Sequence, residues 1–143
     1  MNLIKKARIE IFSEISNLTE SLLPDGEPEI SRAAADGELV IADGVTVIRC
    51  PVSADGGEIL YEIEIRDSSV RVRESGAVTA DFLLCEGVLH DSVYQVGGYK
   101  FDMRVRLRKM RNGIAESGGR LDLFYDMTVG GAAKSVRMKV KAE

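Results

Sequence analysis

Hydrophobic and polar residues alternate strictly along several segments of the 143-residue chain. In segments 61–66 and 101–108 every second residue is apolar, and nearly all the residues between them are charged. This period of two is typical of a β-strand with one buried and one solvated face, whereas a helix would place these charges in its core. Segments 121–127 and 136–141 follow the same pattern. The sequence therefore predicts an all-β protein.

The apolar face of these strands is predicted to form the interior. A shift of one residue in register would turn every one of these side chains outward, so their burial tests the assignment. The residues expected inside are Ile63, Ile65, Phe82, Phe101, Met103, Val105, Leu121, Leu123, Tyr125, Val136 and Met138.

Short glycine-containing turns separate the predicted strands. Asp-Gly and Asn-Gly pairs suit the positive-φ positions of tight hairpin turns, and their regular spacing indicates a meander of antiparallel strands. The predicted turns are Asp43-Gly44, Asp55-Gly56-Gly57, Asp67-Ser68, Ser75-Gly76, Glu86-Gly87, Gly97-Gly98, Asn112-Gly113, Gly118-Gly119 and Gly130-Gly131.

The first segment fits two patterns. Apolar residues at 7, 9, 11 and 15 suit a strand, and those at 3, 7, 11, 15 and 18 suit a helix. The β-branched residues and a polar face at period two favour the strand. Residues 17–24 are then expected to form a loop or one short helical turn. Gly37 and Gly118-Gly119 interrupt strand patterns, where a β-bulge that bends the sheet is the usual reason for glycine.

These elements predict a closed or nearly closed antiparallel β-barrel of about eight to ten strands, formed by residues 1–143 as one domain. The alternative is a two-sheet sandwich. Short sequential turns favour the barrel, because sandwiches with Greek-key topology need long connections.

The glycine-punctuated strands resemble the YwiB-like family of uncharacterised small bacterial proteins. That resemblance implies a lipocalin-like (calycin-type) barrel and no established activity. The segments that carry it are Gly37-Glu38-Leu39, Val70-Arg71-Val72-Arg73-Glu74-Ser75-Gly76, Gly97-Gly98 before the Phe101 strand, and Gly119-Arg120-Leu121-Asp122-Leu123-Phe124-Tyr125.

Charge is unevenly distributed along the chain, whose net charge is −4. Residues 1–97 hold 8 basic and 18 acidic groups, and residues 98–143 hold 11 basic and 5 acidic ones. Complementary charges on neighbouring strands are the favoured explanation, with Asp122 and Asp126 facing the arginines of 104–108. The alternative is an anionic partner, such as RNA, on the basic strands 100–111 and 132–141.

Several chemistries are absent from the sequence. His90 is the only histidine, which excludes a multi-histidine metal centre. Adjacent residues of a strand point apart, so His90, Asp91 and Ser92 are not expected to form a preassembled catalytic triad. Cys50 and Cys85 lack metal-site spacing and are read as reduced thiols in a cytoplasmic protein. Charges within residues 1–12 argue against a signal peptide. The sequence therefore predicts no enzyme, no metal and no cofactor.

The candidate ligand-binding residues are Arg73, Tyr94 and Tyr125. Arg73 precedes a predicted turn, where its guanidinium would hold an anionic ligand group at the barrel rim. The two tyrosines would line the interior, which is expected to be filled by side chains or to hold one small ligand. Mostly large inward residues favour the filled core.

The predicted function is that of a non-enzymatic binding module for a small ligand or a protein partner. Self-association is also expected, because Leu83, Cys85 and Phe124 alternate to the outer face and would form an apolar patch if their strands are neighbours. The alternative is that the loop Asn17–Glu27 covers them within one chain.

Overall fold

The computed structural model describes residues 2–54 and 57–143, and ten antiparallel strands make up about three quarters of these residues. Their bounds follow the predicted alternation. The strands are β1 Leu3–Asn17, β2 Glu29–Ala42, β3 Val45–Ala54, β4 Gly57–Ile65, β5 Ser69–Gly76, β6 Val78–Cys85, β7 Leu89–Val96, β8 Tyr99–Asn112, β9 Gly119–Val129 and β10 Ala132–Ala142.

Each strand pairs with its neighbours in sequence, and β1 pairs with β10 to close the sheet into a barrel. Closure removes the free edges that an open meander would expose. The predicted all-β fold and antiparallel barrel are confirmed, and a lipocalin-like architecture is consistent with this topology. Among the described residues, no helix is long and apolar enough to span a membrane.

Three hairpins use the two-residue turns that the sequence predicted. Asp43-Gly44, Gly97-Gly98 and Gly130-Gly131 each have positive φ at both positions. This conformation matches the twist of the flanking strands and favours glycine, asparagine or aspartate. The predicted turn at Asp55-Gly56-Gly57 falls largely on residues 55 and 56, which lie outside the described part of the chain.

The ambiguous first segment is a strand, as predicted. β1 continues to Asn17, and the residues after it form a loop whose ends are joined by an isolated bridge between Leu18 and Pro24. Within the loop the amide of Leu23 donates to the Thr19 hydroxyl at 3.2 Å.

Ten of the eleven side chains expected inside are buried. The exception is Phe101, which is 39% exposed, so its assignment to the interior was wrong. The alternation is correct there, but the first residues of β8 extend past the end of the neighbouring strand β9. The β8–β9 ladder starts only at Met103, which pairs with Val129. Phe101 thus lies beyond the rim, with a strand partner only on the β7 side.

The strand glycines serve a different purpose from the bulges expected. Gly37 pairs with Ala7 without any shift in register. A methyl group at Gly37 would overlap the backbone oxygen of Arg49 and approach Cβ of Cys50 to 2.9 Å. The glycine therefore permits close approach of β3 to β2 just where their ladder ends.

Gly118 lies in the β8–β9 loop, with φ at +103°, and Gly119 begins β9. The bulge of this region lies between Leu107 and Lys109.

The predicted outer apolar patch does not form. Leu83 and Cys85 lie on β6 and Phe124 lies on β9, and β7 and β8 separate these strands. The loop alternative is also wrong, because Leu22 and Leu23 of the loop remain more than 60% exposed. Self-association stays a prediction without this support.

Complementary charges pair across the outer face as favoured from the sequence for Asp126, whereas Asp122 binds Arg120 of its own strand at 3.2 Å and none of the arginines of 104–108. Asp126 binds Arg106 at 3.4 Å and Arg108 at 3.1 Å. Arg104 instead binds Asp91 on the neighbouring β7 at 2.7 Å. Much of the positive charge on β8 is therefore neutralised within the chain.

Candidate functional site

One end of the barrel is packed with side chains, and the other holds a cavity of about 430 Å³. The cavity lies at the end that carries the β1–β2, β7–β8 and β9–β10 connections. We call it the end cavity. Its walls combine aromatic, methionine and aliphatic side chains with a few polar ones: Ser13, Ile15, Ser31, Tyr61, Val72, Glu74, Phe82, Tyr94, Met103, Tyr125, Met127, Val129, Lys134, Val136 and Met138.

The register of four neighbouring strands explains why polar groups converge in this cavity. Tyr61 of β4 pairs with Glu74 of β5, and Glu74 pairs with Ala80 of β6, which pairs with Tyr94 of β7. All four residues alternate to the inner face, so they form one row across the wall. The small Ala80 separates the carboxyl group of Glu74 from the ring of Tyr94.

Glu74 is the carboxylate of the cavity wall. Burial raises the pKa of its carboxyl group, and a hydrogen bond with the Tyr61 hydroxyl opposes part of that rise. Among the described residues, no lysine, arginine or histidine forms a salt bridge with it. A charged carboxylate in this position loses hydration without gaining a cationic partner.

Three tyrosines surround this carboxyl group. Burial raises the pKa of Tyr61, Tyr94 and Tyr125, and the negative charge of Glu74 raises each of them further. Their hydroxyl groups therefore remain protonated and can donate hydrogen bonds. The ring of Tyr125 also packs against Phe82, with the ring centroids 6.0 Å apart.

Lys134 is the cation of the cavity wall, and it already has a partner. Its Nζ donates a hydrogen bond to Oδ1 of Asn17 at 2.7 Å. Lys134 belongs to β10 and Glu74 to β5, and these strands lie five places apart in either direction around the ten-stranded barrel. The two opposite charges thus occupy opposite walls.

The structure brings together two of the three candidate residues. Tyr94 and Tyr125 both line the end cavity. Arg73 does not, because it alternates to the outer face, where it binds Glu62 at 3.1 Å and Asp81 at 3.7 Å. The expected place of Arg73 at a ligand-holding rim is wrong for this reason.

Arg73 lines a groove of about 740 Å³ on the outside of β3–β7, larger than the end cavity. Its charged side chains bind one another: Arg71 donates to both carboxylate oxygens of Asp81, at 2.8 and 2.7 Å. This bidentate contact lowers the pKa of Asp81. The four arginines that line the groove are each paired with a carboxylate, so their positive charge is satisfied within the chain.

His90, Asp91 and Ser92 do not assemble into a catalytic group. Asp91 binds Arg104, and the Ser92 hydroxyl donates to the backbone oxygen of Asp81. Cys50 is buried in the core, which raises the pKa of its thiol to about 11, and Cys85 is half-buried. Within 2–54 and 57–143, no cluster of three histidine, cysteine, aspartate or glutamate residues is placed to hold a metal ion.

Sequence reasoning missed Glu74 and Lys134, although a signal for both was present. Glu74 has the parity of Val70 and Val72, and Lys134 has the parity of Val136 and Met138. A charged residue on the apolar face of a strand is costly to bury and therefore points to a functional position. Both lie at the strand end that faces the cavity.

Comparison with known proteins identifies related sequences and folds. The family described as Domain of unknown function (DUF1934) matches residues 17–140. The chain is also similar to the crystal structure of the ywiB protein from Bacillus subtilis, with a TM-score of 0.77 and 16% sequence identity. That similarity covers 98% of this chain and 95% of the other. No curated protein matches the sequence.

Proposed function

We propose that this chain, which belongs to the DUF1934 family, is a non-enzymatic binding module. It holds one small, mainly apolar ligand in the end cavity. The observation that carries the proposal is the cavity itself. Its wall combines apolar side chains with four converging polar groups, those of Tyr61, Glu74, Tyr94 and Tyr125. Ligand pockets in proteins have this composition.

The size of the cavity supports the same proposal. A volume of about 430 Å³ lies within the range of small-molecule pockets. Met103, Met127 and Met138 contribute flexible, polarisable side chains that adapt to ligands of different shape. The filled core favoured from the sequence therefore describes only the opposite end of the barrel.

We further propose a location in the bacterial cytoplasm, supported by two free cysteines, which suit a reducing compartment. RNA or another polyanion is the alternative ligand, on the outer faces of β8 and β10. Its support is weaker, because Arg104, Arg106 and Arg108 are already paired with aspartates.

Calorimetric titration with 1-octanol tests the proposal. The native protein is expected to bind it, because its alkyl chain exchanges water for the apolar cavity wall. The variant Val129→Trp, which places a large ring at the cavity wall, is expected to bind at least about tenfold more weakly. The matched control is Arg73→Gln in the outer groove, which should leave the affinity unchanged. Absence of binding to the native protein, or equal loss in both variants, would refute the proposal.

A further inference from the structure

The end cavity contains a carboxylate, that of Glu74, with which no cation of residues 2–54 and 57–143 forms a salt bridge. Glu74 alternates to the inner face between β4 and β6, and within the described part of the chain its polar partner is the Tyr61 hydroxyl. Lys134 is the only cation among the described residues that line the cavity; it is bound to Asn17 and lies on the opposite wall. A ligand is therefore free to supply the missing positive charge.

Aromatic rings surround this carboxyl group on several strands. Tyr61 flanks it on β4, Tyr94 follows one strand beyond the small Ala80, and Tyr125 packs with Phe82 in the same cavity. The negative faces of aromatic rings attract organic cations, and the attraction grows when water is excluded. One carboxylate among several aromatic rings is thus a suitable environment for an ammonium group.

We propose that the ligand of the end cavity is an apolar molecule that carries an organic ammonium group. This group binds Glu74 and is surrounded by the side chains of Tyr61, Tyr94 and Tyr125. This inference rests on the proposed ligand-binding function and specifies its chemistry. The apolar part of the ligand extends toward the methionines on β8, β9 and β10. Binding compensates the burial of Glu74, since a cation favours the charged form of a nearby carboxyl group.

A matched ligand series tests the inference on the native protein. Octylamine, 1-octanol and octanoate each contain eight carbon atoms in a linear chain and carry a cationic, a neutral and an anionic head group. Octylamine is protonated at neutral pH, as lysine is. We expect it to bind about tenfold more tightly than 1-octanol, and octanoate to bind most weakly, because a charge-assisted contact and cation–π attraction are available only to the ammonium group.

The variant Glu74→Gln provides the second measurement. Glutamine keeps the shape of the side chain and removes its charge, so the preference for octylamine over 1-octanol should disappear while octanol binding persists. Tyr94→Phe is the matched control, since it keeps the aromatic ring and should retain most of the preference. Thermal unfolding checks that both variants are folded.

The outcomes separate this inference from the proposed function. Equal binding of octylamine and 1-octanol by the native protein overturns the ammonium assignment and leaves the cavity as a site for neutral ligands. Tightest binding of octanoate also overturns it and assigns recognition to Lys134. If none of the three ligands binds, the proposed function fails, and the inference fails with it.

Discussion

Replacement of Leu39 by alanine is expected to lower the free energy of unfolding by about 2 to 5 kcal/mol. Leu39 is fully buried on β2 and pairs with the equally buried Ile48 of β3. It lies in the packed end of the barrel, where neighbouring side chains fill the space around it. Removal of its branched end therefore leaves a void that the rigid sheet cannot close, and the lost contacts add to the lost burial.

Urea unfolding followed by circular dichroism measures this effect, since the midpoint and slope give the free energy of unfolding. The matched control is Leu60→Ala on β4, whose side chain faces outward and is 44% exposed. That change should stay within about 0.5 kcal/mol, as is usual for surface positions. A loss of similar size in both variants would mean that the register of β2 or β4 is wrong.

Replacement of Gly37 by alanine is expected to cost about 1 to 3 kcal/mol, although alanine normally suits a strand better than glycine. The added methyl group would overlap the backbone oxygen of Arg49 and come within 3.1 Å of Cγ1 of Ile9. A backbone oxygen in a paired strand cannot rotate away, so β2 and β3 must separate.

Gly113→Ala is the control for this prediction. Gly113 also has an ordinary φ angle, but an added Cβ would meet only the backbone of Arg120, with its oxygen at 3.1 Å. A small shift relieves this contact, so the free energy of unfolding should change by less than about 1 kcal/mol. Equal stability of Gly37→Ala and the native protein would show that β3 does not approach β2 as described.

The strand pattern predicted the fold well because burial in a sheet depends on a strict period of two. Ile63, Met103 and Leu121 are buried for this reason, and belonging to one alternating face was enough to place them. Phe101 shows the limit of this reasoning. Alternation gives the direction of a side chain, and it does not tell where the neighbouring strand ends.

The site was predicted less well, because it depends on which strands lie beside each other and where. Tyr94 and Tyr125 were placed inside by parity alone. The position of Arg73 before a turn predicted a place at the rim. Its place in the alternation of β5 instead directs its side chain outward, where it binds Glu62 and Asp81. Its neighbour Glu74 faces the cavity instead. The charged group near that turn that could contact a ligand is therefore a carboxylate and not the expected guanidinium.

The central claim is that the end cavity is where a small ligand binds, and the methionine methyl groups test it directly. Met103, Met127 and Met138 line the cavity, whereas Met110 lies beyond the bulge of β8 and pairs with Leu123. In a ¹³C-methyl-methionine NMR titration with 1-octanol, the resonances of the three lining residues should shift together and saturate. The Met110 resonance should stay in place. A shift of Met110 as large as theirs, or no shift of the three, would contradict the account.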